Sequence, residues 1–212
     1  MIAAILLAAL LQAAPPAASP PVTAVVPAVA PKPRTVRVSM TTSEGPILLE
    51  IETERAPVTA ANFLRYVDGK RWDATNFYRA SKAPGAPEIG LVQGGVRYDP
   101  RKVLPPIRHE PTTQTGLSHT DGTISMGRNT PGTAAGDFFI IVGDMPYMNA
   151  DPSQPGDNAG YAAFGHVVEG MDVVKRILAA PISATTGEGV MKGEMLAQPV
   201  RIVTVRRAPA AP

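Results

Sequence analysis

The chain has 212 residues, which suits one domain of ordinary size together with terminal appendages. A hydrophobic fraction of 44% beside 18% charged residues indicates a globular protein, and a net charge of +2 is too small to favour a nucleic-acid partner. The absence of cysteine excludes disulfides, thiol catalysis and cysteine metal sites.

The N-terminal part begins with an apolar run over residues 2–11, followed by small residues. This run is too short for a spanning helix, which needs about 20 apolar residues. It is typical of a secretory signal, although no Lys or Arg precedes Lys32. We therefore predict a signal peptide over residues 1–19, a periplasmic or secreted protein, and no stable membrane span after processing. Residues 20–34 are rich in Pro and Ala, which predicts an extended linker.

The folded domain is predicted to span residues 35–207, with a disordered tail over 208–212. Its first strand alternates apolar and polar residues, and a Glu-Gly-Pro turn leads to a second. Pro57 suits the first position of a helix that Gly69 ends. The remaining patterns predict strands over 76–78, 89–92, 123–126, 138–142, 161–169 and 199–206, with a second helix over 170–180. Strands dominate without alternating with helices, which indicates a mainly β fold: a closed eight-stranded antiparallel barrel capped by two short α-helices.

Most familiar catalytic patterns are missing from the chain. Ser118, His119 and Asp121 lie too close in one loop to adopt the geometry of a hydrolytic triad together. The histidines are scattered without metal-ligand spacing, and the pair His109–Glu110 is expected to be solvated. Because no phosphate-binding loop is present either, we predict no metal and no cofactor.

Two polar residues lie beside apolar runs and stand out from them. Arg79 directly follows the run 76–78, and Gln93 directly follows the run 89–92. If the two strands are neighbours, a guanidinium and an amide share one edge of an apolar surface. Gly94 and Gly95 follow at once, where a tight bend or a close backbone approach costs little.

Several ordered segments of the chain resemble the cyclophilin-type peptidyl-prolyl cis–trans isomerases, and within that family the exported bacterial branch. The segments cover residues 35 to about 206 in the family's order, which is more specific than any single motif. They are TNFYR at 75–79, LVQGG at 91–95, GTISMGR at 122–128, DFFI at 137–140, GYAAFG at 160–165 and VEGMDV at 168–173.

The resemblance implies a role for each matching position. Arg79 is the expected catalytic arginine, and Gln93 is expected to bind the substrate backbone. The other expected substrate-binding residues are Leu91, Phe139 and Met148 in a proline pocket, Gly127 and Arg128 along the peptide groove, and Asp137, Tyr147 and Tyr161, where relatives carry Gln, Trp and His. The implied partners are proline-containing polypeptides. The low net charge argues against nucleic acid, and the oligomeric state is left open with a monomer as the default expectation.

The chain departs from the family pattern in three places. An insertion over residues 80–90 lengthens the link between Arg79 and Gln93, and Gly90 stands where an aromatic is usual, so the pocket loses a wall unless the insertion supplies one. Asp137 replaces an amide and is available to pair with Arg79 or Arg128. Asp121, which replaces a commonly basic residue, is expected to be a surface change of little consequence.

These departures keep a second function open. A peptide-binding or chaperone module could retain the groove and isomerise poorly. Arg79, Gln93 and Phe139 favour the enzyme, whereas Gly90 and Asp137 are the residues that support the alternative.

Overall fold

The structure, a computed structural model, describes residues 33–97 and 99–210. Within these residues it contains eight strands and three short α-helices. In chain order they are β1 (Thr35–Thr42), β2 (Gly45–Glu52), α1 (Pro57–Asp68), β3 (Thr75–Ala83), β4 (Ala86–Gly95), α2 (Thr112–Thr115), β5 (Thr123–Met126), β6 (Asp137–Val142), β7 (Ala162–Glu169), α3 (Met171–Ala179) and β8 (Met195–Arg207).

The strands form a closed barrel in the order β1-β2-β7-β5-β6-β4-β3-β8, and every neighbouring pair is antiparallel. This confirms the predicted fold class. The third helix was not predicted. It is the four-residue α2, which ends at Gly116 with φ of 68°, and one turn is too short to show a helical period.

The barrel interior is filled by side chains from alternate strand positions. An aromatic group lies at its centre: the ring centroid of Phe138 is 5.0 Å from Trp72, 5.7 Å from Phe77 and 5.9 Å from Phe63 of α1. Because Phe63 is fully buried there, α1 is fastened to the barrel through its apolar face.

The N-terminus of α1 receives its hydrogen bonds from a distant loop. Glu110 is fully buried and accepts hydrogen bonds from the backbone N–H groups of Val58 and Thr59 and from the Thr59 hydroxyl. The helix has no capping side chain of its own at Ala56. The expectation that Glu110 is solvated was therefore wrong, since its carboxylate satisfies N–H groups that a helix start leaves unpaired.

The hairpin of β3 and β4 is longer than predicted. Residues expected to form an inserted loop continue both strands to a turn at 84–85, where Gly85 has φ of 79°. Proline at 84 and 87 disguised this extension, because proline usually interrupts a strand pattern. The last strand also begins earlier than predicted, at Met195, whose side chain is buried.

The predicted signal peptide and nearly all of the predicted linker lie outside the described residues. None of the helices in the described ranges is long and apolar enough to cross a membrane. At the other end, the backbone N–H of Ala208 donates to the carbonyl of Arg37, and residues 211–212 again fall outside the description.

Candidate active site

The predicted site residues lie in one row across neighbouring strands. Arg79 on β3 is the register partner of Gln93 on β4, Gln93 is the partner of Phe139 on β6, and Phe139 is the partner of Ser125 on β5. Directly opposed residues of antiparallel strands project from the same face of a sheet. Since Phe138, the neighbour of Phe139, fills the barrel interior, this row lies on the outer surface.

Arg79 is held by two polar partners. Its Nη1 donates to Gln93 Oε1 at 2.8 Å, while Nε and Nη2 lie 2.7 and 2.6 Å from Glu194 Oε2. The other carboxylate oxygen of Glu194 accepts the Ser81 hydroxyl at 2.8 Å. Glu194 lies in the loop before β8 and was missed in the sequence, because its contact depends on how β8 pairs with β3.

A small apolar cluster lies beside the polar row. It consists of four buried side chains and three partly buried ones that pack against them. We call it the outer apolar cluster: Phe139, Ile141, Met145 and Met148, with Ile89, Leu91 and Tyr161 around them. Leu91, Phe139, Met148 and Tyr161 were all expected in the site, whereas Ile89 was not. Ile89 comes from the insertion, so the inserted residues contribute a side chain to this wall.

The close approach of the two hairpin strands explains why position 90 is a glycine. A Cβ at this position would lie 2.2 Å from the carbonyl oxygen of Ser81 and 3.0 Å from Leu178 of α3. Any larger residue would force β3 and β4 apart. The missing aromatic is therefore a consequence of close strand packing, and Ile89 and Leu91 on either side supply the apolar surface.

A buried polar group supports Phe139 from behind. His119 stacks on its ring, with centroids 6.2 Å apart. Its Nδ1 lies 2.7 Å from Asn149 Oδ1, and its Nε2 lies 3.0 Å from the Ser125 hydroxyl. Because an amide oxygen only accepts, Nδ1 carries the proton and Nε2 accepts from Ser125. Burial lowers the pKa of His119, which keeps the ring neutral.

Asp137 does not make the ion pair that its sequence position made available. In the described part of the chain, Arg79 pairs with Glu194 and Arg128 pairs with Asp157. Asp137 instead accepts the backbone N–H of Arg97 at 2.9 Å, and burial raises its pKa. The carboxylate thus fastens the turn that follows β4. Gly95 permits this, since its φ is 145° and a Cβ would lie 2.2 Å from Asp137 Oδ1.

Arg128 holds a loop in place. Its guanidinium donates to the Gly160 carbonyl and to both oxygens of Asp157, and it lies over the Tyr161 ring at 5.1 Å. Only 7% of the side chain is exposed. These contacts fix Tyr161, whose ring meets Phe139 edge-on at 5.2 Å.

Two residues that were expected to bind substrate, Tyr147 and Gly127, have surroundings that the sequence did not indicate. Tyr147 is 76% exposed and lies outside the outer apolar cluster, on a short turn that places only Met148 within it. The backbone N–H of Gly127 donates to the carbonyl of Asp137 at 2.8 Å. A peptide contact through that N–H would therefore require this bond to break.

A cavity of about 210 Å³ extends the site beyond Gln93. Tyr78, Gln93 and Asp137 line it together with Gly127 and Met191. Met191 belongs to the same loop as Glu194, so this loop forms one wall of the site. No group of three or more His, Asp or Glu residues that could hold a metal occurs in the residues described.

Comparison with known proteins identifies the family. The family model described as cyclophilin type peptidyl-prolyl cis-trans isomerase/CLD matches residues 37–207. The chain belongs to this family. That confirms the predicted resemblance to the family as a whole and the predicted enzyme class, peptidyl-prolyl isomerase.

Bacterial peptidyl-prolyl cis-trans isomerases are among the similar proteins. The chain is 36% identical over 173 residues to a peptidyl-prolyl cis-trans isomerase of Acinetobacter baylyi, covering 80% of this chain and 84% of that one. It is 38% identical over 159 residues to peptidyl-prolyl cis-trans isomerase A of Dickeya dadantii, covering 73% and 77%.

Solved structures support the fold. A cyclophilin-type isomerase of Cryptosporidium parvum aligns with a TM-score of 0.66 at 18% identity, covering 84% of this chain and 100% of that chain. The structure described as the same protein in the presence of the dipeptide Ala-Pro aligns with a TM-score of 0.64, also at 18% identity, covering 82% and 99%. At this identity the likeness concerns the fold alone.

Proposed function

We propose that this cyclophilin accelerates rotation about X–Pro bonds of polypeptides without covalent chemistry, using Arg79 to stabilise the twisted amide. The observation that carries the proposal is the register row in which Arg79, Gln93 and Phe139 stand side by side on one outer face. A cationic donor, an amide and an apolar surface then lie within the span of one proline residue and its neighbours.

The chemistry of the reaction matches these groups. Rotation about an X–Pro bond has a barrier of about 18–20 kcal/mol, because amide resonance is lost. Neither a nucleophile nor a proton shuttle is needed, since no bond to another atom forms or breaks. The twisted amide has a pyramidal, more basic nitrogen, and a fixed guanidinium donates to it without titrating near neutral pH.

The outer apolar cluster supplies the second requirement. Phe139 and Met148 are buried, and Leu91, Tyr161 and Ile89 pack around them. A pyrrolidine ring placed against this surface leaves water, which strengthens hydrogen bonds to the adjacent amide. Gln93 lies between Arg79 and the cluster and is suited to hold the peptide backbone.

Replacement of Arg79 tests the proposal. We expect Arg79→Ala to lower turnover of a short X–Pro peptide by one to several orders of magnitude, because the donor to the twisted amide is lost. A proline-isomerisation assay measures the effect, and a denaturation curve checks that the fold is kept. Arg108→Ala is the matched control, since Arg108 is an exposed arginine that does not belong to the row. Full activity in Arg79→Ala would contradict the proposed role.

One observation favours the second candidate, a peptide-binding module. Gln93 and Glu194 already occupy three of the five N–H donors of Arg79, which leaves two for a peptide. Binding of the same peptide, measured beside its turnover, separates the two functions. Binding without accelerated exchange would identify a module, whereas accelerated exchange identifies the enzyme.

We propose further that residues 1–19 direct export and that the domain acts as a monomer outside the cytoplasm. The support for export is the apolar run over residues 2–11 and the small residues after it. The folded domain is proposed to begin near residue 35, where β1 starts.

A further inference from the structure

The loop between α3 and β8 brings a carboxylate to the catalytic arginine. Glu194 Oε2 lies 2.7 Å from Nε and 2.6 Å from Nη2 of Arg79. Ser81 donates its hydroxyl to Oε1 of the same carboxylate at 2.8 Å. Ser81 stands two residues beyond Arg79 on β3, so the carboxylate is bound to the strand that carries the arginine.

The backbone also fixes Glu194. Its carbonyl accepts the N–H of Ala80 at 2.9 Å, and the carbonyl of the next residue, Met195, accepts the N–H of Ser183. Within the loop, the Gly193 N–H donates to the Thr186 carbonyl. The position of the carboxylate is thus determined by the chain path and not only by its side-chain contacts.

Glu194 and Gln93 contact different N–H groups of Arg79. Glu194 takes the edge formed by Nε and Nη2, and Gln93 takes Nη1. A guanidinium on a flexible stem has many orientations, and bonds on both sides select one of them. Only 17% of the Arg79 side chain and 29% of the Glu194 side chain are exposed, so solvent screens this pair less than a surface pair.

We propose that Glu194 is a positioning residue, which orients Arg79 so that its two remaining N–H groups are presented to the twisted amide. This inference rests on the proposed isomerase function and adds to it a residue that no family motif in the sequence contains. Glu194 touches Arg79 and not the reacting amide, so it acts on the rate through the arginine. Ser81 acts one step further away, by holding the carboxylate.

Kinetics of Glu194 variants test this role. We expect Glu194→Ala to lower kcat by about tenfold or more, because small misplacements of a catalytic group are costly. KM should stay within about twofold, since the outer apolar cluster and Gln93 still bind the peptide. Glu194→Gln keeps an acceptor oxygen at the same reach, so we expect it to recover part of the loss. The matched control is Glu188→Ala, an exposed glutamate in the same loop.

A spectroscopic measurement separates positioning from general stabilisation of the loop. In the parent protein the Nε–H of Arg79 should give a slowly exchanging NMR signal, because it is bonded to Glu194. The signal should broaden or disappear in Glu194→Ala and persist in Glu188→Ala. If Glu194 only stabilised the loop, its replacement would lower the melting temperature. The Arg79 signal would then persist, and the loss of activity would not fall selectively on kcat.

The double variant completes the test. In an Arg79→Ala background, Glu194→Ala should lower turnover no further, because the residue to be positioned is gone. Turnover of Glu194→Ala equal to or above that of the parent, with Arg79→Ala inactive, would overturn the role of Glu194 and leave the proposed function standing. An inactive parent protein, or an active Arg79→Ala, would instead overturn the proposed function.

Discussion

His119 is a fully buried titratable side chain directly behind the outer apolar cluster. Its neutral form satisfies both neighbours: Nδ1 donates to Asn149, and Nε2 accepts from Ser125. A second proton on Nε2 would displace the Ser125 hydroxyl as donor and place a charge in an apolar region. Phe139, which stacks on the ring, would lose its support.

This arrangement makes stability depend on pH in a definite direction. Burial lowers the pKa of His119 below its ordinary value of 6.5, so the unfolded chain takes up the proton first as the pH falls. The free energy of unfolding should therefore decrease below pH 6.5, by up to about 1.4 kcal/mol per pH unit, until the folded state is protonated too. Denaturant unfolding between pH 5 and 8 measures this.

The control for that experiment removes the titrating ring. His119→Gln should lower stability at neutral pH and abolish this part of the slope. Asp137 gives a pH dependence of the opposite sign, because burial raises its pKa above the ordinary 3.8. Its contribution to stability is present below pH 3.8 and is lost as the pH rises through the pKa of the folded state. An unchanged slope in His119→Gln would show that another group is responsible.

Single residues of the site were predictable only where the chain carries a family motif. Arg79, Gln93 and Phe139 lie in such motifs, and the structure brings them together in one row. Glu194 and Ile89 lie in segments with no motif. Their contacts depend on strand register over long sequence separations, which no local pattern encodes.

At the scale of the element, α1 depends on a residue far away in the chain. Glu110 caps the helix start from far along the chain. It lies 52 positions after Val58 and 51 positions after Thr59. The helix itself was predictable, since Pro57 and the apolar spacing are local signals. The origin of its cap was not, because a Glu in an irregular segment looks the same whether solvated or buried.

Removal of that carboxylate should destabilise the domain. We expect Glu110→Ala to lower the free energy of unfolding by about 1–3 kcal/mol, because the backbone N–H groups of Val58 and Thr59 lose their acceptor in a buried place. Thermal or denaturant unfolding measures the loss. Glu88→Ala, at an exposed glutamate, should change stability by about 0.5 kcal/mol at most. Equal effects of the two substitutions would contradict the capping role.

The hairpin of β3 and β4 shows why element boundaries were harder to predict than element types. Both strands were recognised from their apolar runs, but the proline and glycine residues between them indicated a loop. In the structure these residues form the turn and the ends of longer strands. Cross-strand pairing overrides the local preference, and this extension is what carries Ile89 to the outer apolar cluster.

At the scale of the whole molecule, neighbouring residues of a strand lie on opposite faces of the barrel and serve different purposes. Phe138 points inward, with Phe63, Trp72 and Phe77 around it, and Phe139 points outward into the site. The succession of strand patterns with few helices between them made the barrel predictable. The identity of the outward face required the family motifs, since an apolar residue in a strand does not itself show which face of the barrel it lies on.

Two adjacent substitutions test this division. Phe138→Ala should lower the free energy of unfolding by about 3–5 kcal/mol, because it leaves a cavity in the main core. Phe139→Ala should cost less stability and lose more isomerase activity in the fraction that remains folded. Denaturant unfolding and peptide turnover, measured on both variants, give the comparison. Near-parent activity in Phe139→Ala, or near-parent stability in Phe138→Ala, would contradict the assignment of faces.

Closure of the barrel has a consequence for the order in which the protein acquires its activity. β8 pairs with both β1 and β3, so the ring is joined by the last of the eight described strands along the chain. Until that strand docks, β1 and β3 present bare edges, and Arg79 lacks the carboxylate that arrives just before β8. Arg79, the proposed catalytic residue, therefore meets Glu194 only once the segment before β8 has been synthesised and β8 has docked. Until β8 has docked, we therefore expect the domain to assist neither other chains nor itself.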